Sequence, residues 1–192
     1  MARTQAGTSD AEPRTGPRLR RPVVLVGMMG SGKTAIGTAL AERLGVPFRD
    51  SDEAIEAAAR MTIPEIFARD GEAFFRAREA EVLRRLLGEG PGILSTGGGA
   101  FLNPGNRAAI AAAGVAVWLR ASADILWSRV KGRSGRPLLA TANPRATLET
   151  LLAEREPAYA EADLVVEAGP DTSIAEMVER AVARLEENGE FA

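Results

Sequence analysis

Apolar residues along this chain come in two rhythms. Short runs with little polar alternation, Val23-Val24-Leu25-Val26, Ile93-Leu94-Ser95, Val115-Ala116-Val117-Trp118-Leu119 and Leu164-Val165-Val166, read as strands buried on both faces, and Phe48-Arg49-Asp50 reads as a short fifth. Between them the spacing turns helical. Ile36, Leu40 and Leu44 form an i, i+4, i+8 stripe that Gly45-Val46-Pro47 ends. Further helices are expected over 53–59, 63–87 with a break at Asp70-Gly71, 104–113, 122–130, 144–160 and 173–187. Strands alternating with helices describe one α/β domain, a parallel sheet covered on both faces. There is no internal repeat. Residues 1–20 mix Arg, Thr, Gly, Pro and acidic residues without periodicity, so a disordered tail is expected there and a single domain over 21–192. The pattern lapses again at Lys131-Gly132-Arg133-Ser134-Gly135-Arg136-Pro137, a basic, glycine-containing loop.

Composition narrows the chemistry. The chain has 24 Lys and Arg against 26 Asp and Glu, a formal net charge of −2, so no global field recruits nucleic acid or an anionic membrane. Neither kind of partner is expected. Cys and His are absent, which removes disulfides, thiolate metal sites, cysteine nucleophiles and imidazole bases. Catalysis is left to carboxylates, Lys, Arg, hydroxyls, backbone N–H groups or a hard cation held by oxygen. Mg²⁺ with a nucleoside triphosphate fits that inventory. No apolar run approaches the roughly 20 residues of a bilayer span and no secretory segment follows the N-terminus, so a cytoplasmic location is expected.

The stretch Gly27-Met28-Met29-Gly30-Ser31-Gly32-Lys33-Thr34 satisfies G-x-x-x-x-G-K-[ST] at every fixed position, between a strand and an amphipathic helix. Glycines let backbone N–H groups turn inward around an anion, and the following helix start adds the positive end of its dipole. Lys33 reaches the β- and γ-phosphates, and the Thr34 hydroxyl ligates Mg²⁺. The phosphate cradle is assigned to Gly30, Ser31, Gly32, Lys33, Thr34 and Ala35.

Four further features carry candidate chemistry, each with a plainer account. In Asp50-Ser51-Asp52 the carboxylates lie two positions apart, roughly 6.5 Å along an extended chain, where both can face one cleft at a strand's carboxyl end. Alternatively Asp52 N-caps the next helix and Asp50 is solvated. Arg76 and Glu79 share a helical face, as a held guanidinium or as a solvated pair. Gly97-Gly98-Gly99 directly follows a buried strand, which suggests a close approach to the backbone or an anion site; a flexible turn is the alternative. The basic loop at 131–137 closes over phosphates, or is only a soluble surface loop.

Taken together, Gly27 to Thr34, Asp50-Ser51-Asp52, Phe75-Arg76 through Glu79, Gly97-Gly98-Gly99, Arg136-Pro137-Leu138-Leu139 and Arg155 in Arg155-Glu156-Pro157-Ala158-Tyr159 resemble, in order and spacing, the motifs of shikimate kinases. The resemblance covers about 22–187. It implies a nucleoside monophosphate kinase-like three-layer sandwich with five parallel strands in order 2-3-1-4-5 and a mobile lid at about 131–143. It also implies ATP- and Mg²⁺-dependent phosphorylation of the 3-hydroxyl of shikimate, on the route to chorismate and the aromatic amino acids. By similarity, Arg76 and Arg155 grip the shikimate carboxylate, a match that suits the planar guanidinium fork. Gly98 and Gly99 line the same pocket, and Glu79 holds Arg76. Asp52 contacts the acceptor hydroxyls and receives the proton, Asp50 supports Mg²⁺ with Thr34, Arg129 stacks on adenine, and Arg136 neutralises the transferring phosphoryl. Glu167-Ala168-Gly169-Pro170 keeps the proline of the adenine loop but lacks the basic and amide residues of the family pattern. A monomer is expected. Two other readings fit parts of this sequence: a related kinase acting on gluconate or a nucleoside monophosphate, and a catalytically silent module that binds nucleotide or metabolite.

Overall fold

A computed structural model describes residues 18–132 and 137–192. The five strands are β1 (Val23–Val26), β2 (Phe48–Asp50), β3 (Ile93–Ser95), β4 (Val115–Arg120) and β5 (Leu164–Glu167). All pair in parallel, in the order β2-β3-β1-β4-β5. β1 and β3 are buried at every position, and β4 at all but Arg120, as unbroken apolar runs require when helices cover both faces.

Seven helices supply that cover: α1 (Lys33–Leu44), α2 (Ser51–Ala59), α3 (Ile63–Leu87), α4 (Pro104–Ala113), α5 (Ala123–Val130), α6 (Pro144–Tyr159) and α7 (Ile174–Glu187). The period-two alternation of each strand divides the core between them. Val23 and Leu25 pack with Ile36 and Leu40 of α1 and Met177, Ala181 and Leu185 of α7. Val24 and Val26 point the other way, into a cluster with Ile55, Phe75, Leu83, Ile110, Leu126 and Leu148 from α2 to α6. The result is the expected three-layer sandwich.

Local chemistry sets the helix ends. Gly45 takes a left-handed conformation (φ 66°) and closes α1. Thr62 with Glu65, and Ser173 with Glu176, form capping boxes at the starts of α3 and α7. The break expected at Asp70-Gly71 is a kink inside α3, where Gly71 has φ 81° and ψ 171°. α2 begins earlier than expected, because the N-cap is Asp50 and not Asp52: Asp50 Oδ1 accepts from the amides of Asp52 (2.9 Å) and Glu53 (3.4 Å).

The expected tail is also too long by three residues. Leu19 is buried and bridges Phe191, the Arg20 amide donates to the Glu190 carbonyl, and the Ala192 amide donates to the Arg18 carbonyl. Arg21 seals this clasp by donating to both Glu190 oxygens (2.8 and 2.6 Å) and to the Gly114 carbonyl. One apolar side chain and its ladder bonds suffice to order a segment that composition alone assigns to solvent. Residues 1–17 lie outside the described residues, as do Arg133, Ser134, Gly135 and Arg136. Among the described residues no helix is long and apolar enough to cross a membrane.

One glycine governs how closely α1 seats on the sheet. A Cβ at Gly37 would stand 2.6 Å from Phe48 Cε2 and 3.0 Å from Leu25 Cδ1. Gly37→Ala should therefore destabilise the protein, because overpacking of about 1–3 kcal/mol outweighs the roughly 1 kcal/mol gain in helix propensity. The measurement is the denaturation midpoint; an unchanged or raised midpoint would show that the interface can open freely.

Candidate active site

β1 is the point where the strand order turns: β3 and β2 lie to one side and β4 and β5 to the other, so the loop leaving its carboxyl end opens a crevice. Gly27 to Thr34 occupies that position. Gly30 and Gly32 have φ values of 82° and 94°, conformations that side chains rarely adopt, and a Cβ at Gly30 would also collide with Val130 Cγ1 at 2.7 Å. Lys33 folds back across the loop and donates to the carbonyls of Gly27 (2.8 Å) and Met28 (3.1 Å).

Two observations fit this loop to an anion. Among the described residues no side chain caps the start of α1, which leaves its first-turn N–H groups available to an anion. The Ser31 hydroxyl is buried and has no hydrogen-bond partner among the described residues. Beside the loop, Thr34 Oγ1 donates to Asp50 Oδ2 at 3.3 Å while the other Asp50 oxygen caps α2. A hydroxyl and a carboxylate are hard donors suited to Mg²⁺, an ion that keeps waters and phosphate oxygens as its remaining ligands. Among the described residues no cluster of three or more His, Cys, Asp or Glu could hold a metal alone.

The loop opens into a cavity of about 570 Å³ lined by Gly30, Gly32, Lys33, Thr34, Ala35, Asp50, Asp52, Gly98 and Arg129, among others. Ser31 lies beneath its floor. Arg129 Nη1 is 3.4 Å from the carbonyls of Gly30 and Ser31, so this side chain is tied to the phosphate loop. Thr172, Ile174 and Met177 complete the wall. They escaped sequence reasoning, which looked at Glu167 to Pro170; the cavity is lined instead by the residues at the start of α7, a start marked by its capping box.

From the cavity the site continues along Gly97-Gly98-Gly99. This segment is anchored from behind: Thr96 Oγ1 donates to the Leu25 carbonyl (3.0 Å), the Gly97 amide to Ser51 Oγ (3.3 Å), and the Tyr159 hydroxyl to the Gly98 carbonyl (2.6 Å). Charged groups cross its front. A Cβ at Gly97 would lie 2.7 Å from Asp52 Oδ1, at Gly98 3.6 Å from Arg155 Nη1, and at Gly99 2.7 Å from Arg76 Nη1. The three glycines therefore lie against a carboxylate and two guanidiniums in succession. No role was read for Ser51, Thr96 or Tyr159 in the sequence, since each acts through the backbone of another segment.

Electrostatics distinguish these groups. Burial raises the Asp52 carboxyl from 3.8 to about 6, with further upward pushes from Asp50 and Glu79 opposed by Lys33. Burial also raises Glu79, opposed by Arg76, which donates to both its oxygens (3.1 and 2.9 Å). The Arg155 Nη1 group sits against Met28 Sδ at 4.0 Å, and no carboxylate among the described residues pairs with it. Arg136 alone of the assigned residues lies outside the described residues. The others converge, except that Gly99, Arg76 and Arg155 stand beyond the cavity wall as its continuation.

This sheet order, with a phosphate loop at its turning point and an anion-ready cleft alongside, is the architecture of a P-loop small-molecule kinase. The shikimate kinase family model matches residues 29–186. The chain is 60% identical to a shikimate kinase of Ruegeria pomeroyi, covering 87% of this chain and 86% of the relative. It is 58% identical to one from Cereibacter sphaeroides, covering 88% and 83%. The shikimate kinase of Acinetobacter baumannii, solved in complex with shikimate, superposes with a TM-score of 0.80 at 37% identity over 92% of this chain and 96% of that one. The chain belongs to the shikimate kinase family, and it is a phosphotransferase that uses ATP as co-substrate.

Proposed function

We propose that this enzyme works in the cytoplasm on the 3-hydroxyl of shikimate, with the triphosphate seated in Gly30 to Ala35 and the acceptor ring lying along Gly97 to Gly99. The observation that carries this reading is the succession of Asp52, Arg155 and Arg76 across those glycines, one step from the phosphate loop. Arg76 and Arg155 bind the carboxylate of the acceptor, with Arg76 held by Glu79 and set against Gly99. Asp52 takes the hydroxyl's hydrogen bond and orients it toward the γ-phosphoryl. In a loose transition state this aim matters more than strong basicity.

Lys33 exchanges its carbonyl partners for phosphate oxygens as charge moves to the leaving group. Thr34 and Asp50 would hold Mg²⁺, which supplies charge neutralisation at the phosphates. Arg129 faces the base, and Arg136 adds positive charge at the transferring group.

The test is ADP release with ATP and Mg²⁺, with shikimate, gluconate and nucleoside monophosphates compared as acceptors. Turnover of shikimate far above the others is expected; turnover of gluconate with none of shikimate overturns the reading. Arg76→Ala and Arg155→Ala should each raise KM for shikimate by about tenfold or more, since a charge-assisted hydrogen bond is worth about 1.5–3 kcal/mol. KM unchanged in both variants would remove the assigned pocket.

A further inference from the structure

Arg76 meets two carboxylates, and only one of them is buried. Glu79, 2% exposed, engages Nη1 through both its oxygens and belongs to the packed floor of the site. Glu72, 67% exposed, places Oε1 at 3.3 Å from both Nε and Nη2 of the same guanidinium. Nη1 and Nη2 of the guanidinium stand against Gly99, 2.7 and 2.8 Å from the place a Cβ there would take. Nε and Nη2 form a fork that matches a carboxylate with two parallel hydrogen bonds. The chain's own carboxylate thus takes the edge that an incoming one needs.

We infer that Glu72 is a specificity-determining competitor: it holds the Nε–Nη2 fork of Arg76 when the acceptor is absent, and an acceptor carboxylate must displace it. The inference rests on the proposed role of Arg76 in gripping that carboxylate. Three features make displacement easy. The Glu72 contacts are long, the side chain is largely in water, and Glu72 sits next to the Gly71 kink, where the backbone of α3 departs from helical geometry. Exposed ion pairs of this kind alter an equilibrium by no more than about fivefold. Competition of that size tunes affinity without blocking entry, and it disfavours ligands that lack a carboxylate able to take the place of Glu72.

The competitor raises KM for the acceptor, which is opposite in sign to the effect of a residue that positions Arg76 for binding. Glu72→Gln keeps the side chain's shape and removes its charge; Glu72→Ala removes both. In steady-state kinetics with shikimate and Mg²⁺-ATP, both variants should lower KM for shikimate by about two- to fivefold, with KM for ATP unmoved. The KM of the Glu72→Gln variant should also rise more steeply with ionic strength, because the acceptor's attraction to Arg76 is no longer offset. Unchanged or raised KM for shikimate in both variants overturns the inference. Arg76→Ala separates the two levels. If it raises KM while the Glu72 variants do nothing, only the competitor fails; if it leaves KM unchanged, the proposed carboxylate grip fails first.

Discussion

Asp52→Asn is expected to cut turnover by a factor on the order of 10² or more and, at neutral pH, to make the protein more stable. Both outcomes come from the same burial. The Asp52 carboxyl is raised from 3.8 to about 6 because it is desolvated near Asp50 and Glu79, with Lys33 only partly compensating. Between those two values the folded protein binds more protons than the unfolded chain, so stability falls as pH rises through this window and stays reduced above it. At pH 7.5 the ionised side chain therefore costs the fold up to about 3 kcal/mol, which the neutral amide relieves. Chemical denaturation at pH 7.5 and at pH 3.5 measures it: the variant's advantage should be large at the higher pH and nearly absent at the lower. For the wild-type enzyme, kcat/KM should climb with pH through about 6 as Asp52 loses its proton. Full activity in Asp52→Asn, or a rate independent of pH from 5 to 7, would remove Asp52 from the chemistry.

Lys33→Met should be the most damaging change at the phosphate loop, lowering kcat/KM for ATP by a factor on the order of 10² to 10³. Met keeps much of the stem's apolar volume and deletes the ammonium. The loss has two parts. Charge developing on the transferred and bridging oxygens goes unneutralised, and the carbonyls of Gly27 and Met28 lose the donor that holds them at 2.8 and 3.1 Å. The second part predicts a structural signature: amide exchange across 27–32 should quicken in the ligand-free variant. A fall of less than tenfold in kcat/KM would mean that backbone N–H groups and other cations carry the phosphates without Lys33.

Much of this was legible in the residues, and what was not has physical causes. Strand positions came from unbroken apolar runs, and Gly45 and Gly71 marked a helix end and a kink because a positive φ favours glycine. The phosphate loop was readable because its whole function lies within eight consecutive residues. Asp50 was half understood: its place on the strand end was clear, but which of two aspartates would cap α2 depended on backbone geometry that composition does not encode. Tyr159 and Ser51 stood inside recognised motifs but their roles were unreadable, since a side chain that steadies a distant backbone leaves no local pattern. Leu19 was lost inside a polar stretch, and only its pairing with Phe191 reveals it. Glu72 needed three dimensions as well; four residues before Arg76 it looks like any exposed helical pair.

The clasp of Leu19 on Phe191, sealed by Arg21 and Glu190, sits by Pro22 and Gly114, at the amino ends of β1 and β4. The phosphate loop lies at the opposite pole, with the length of β1, about 13 Å, between them. Arg18 to Arg21 and Glu190 to Ala192 thus meet at the back of the molecule. A domain fused after Ala192 therefore starts its path on the side of the sheet away from the phosphate loop.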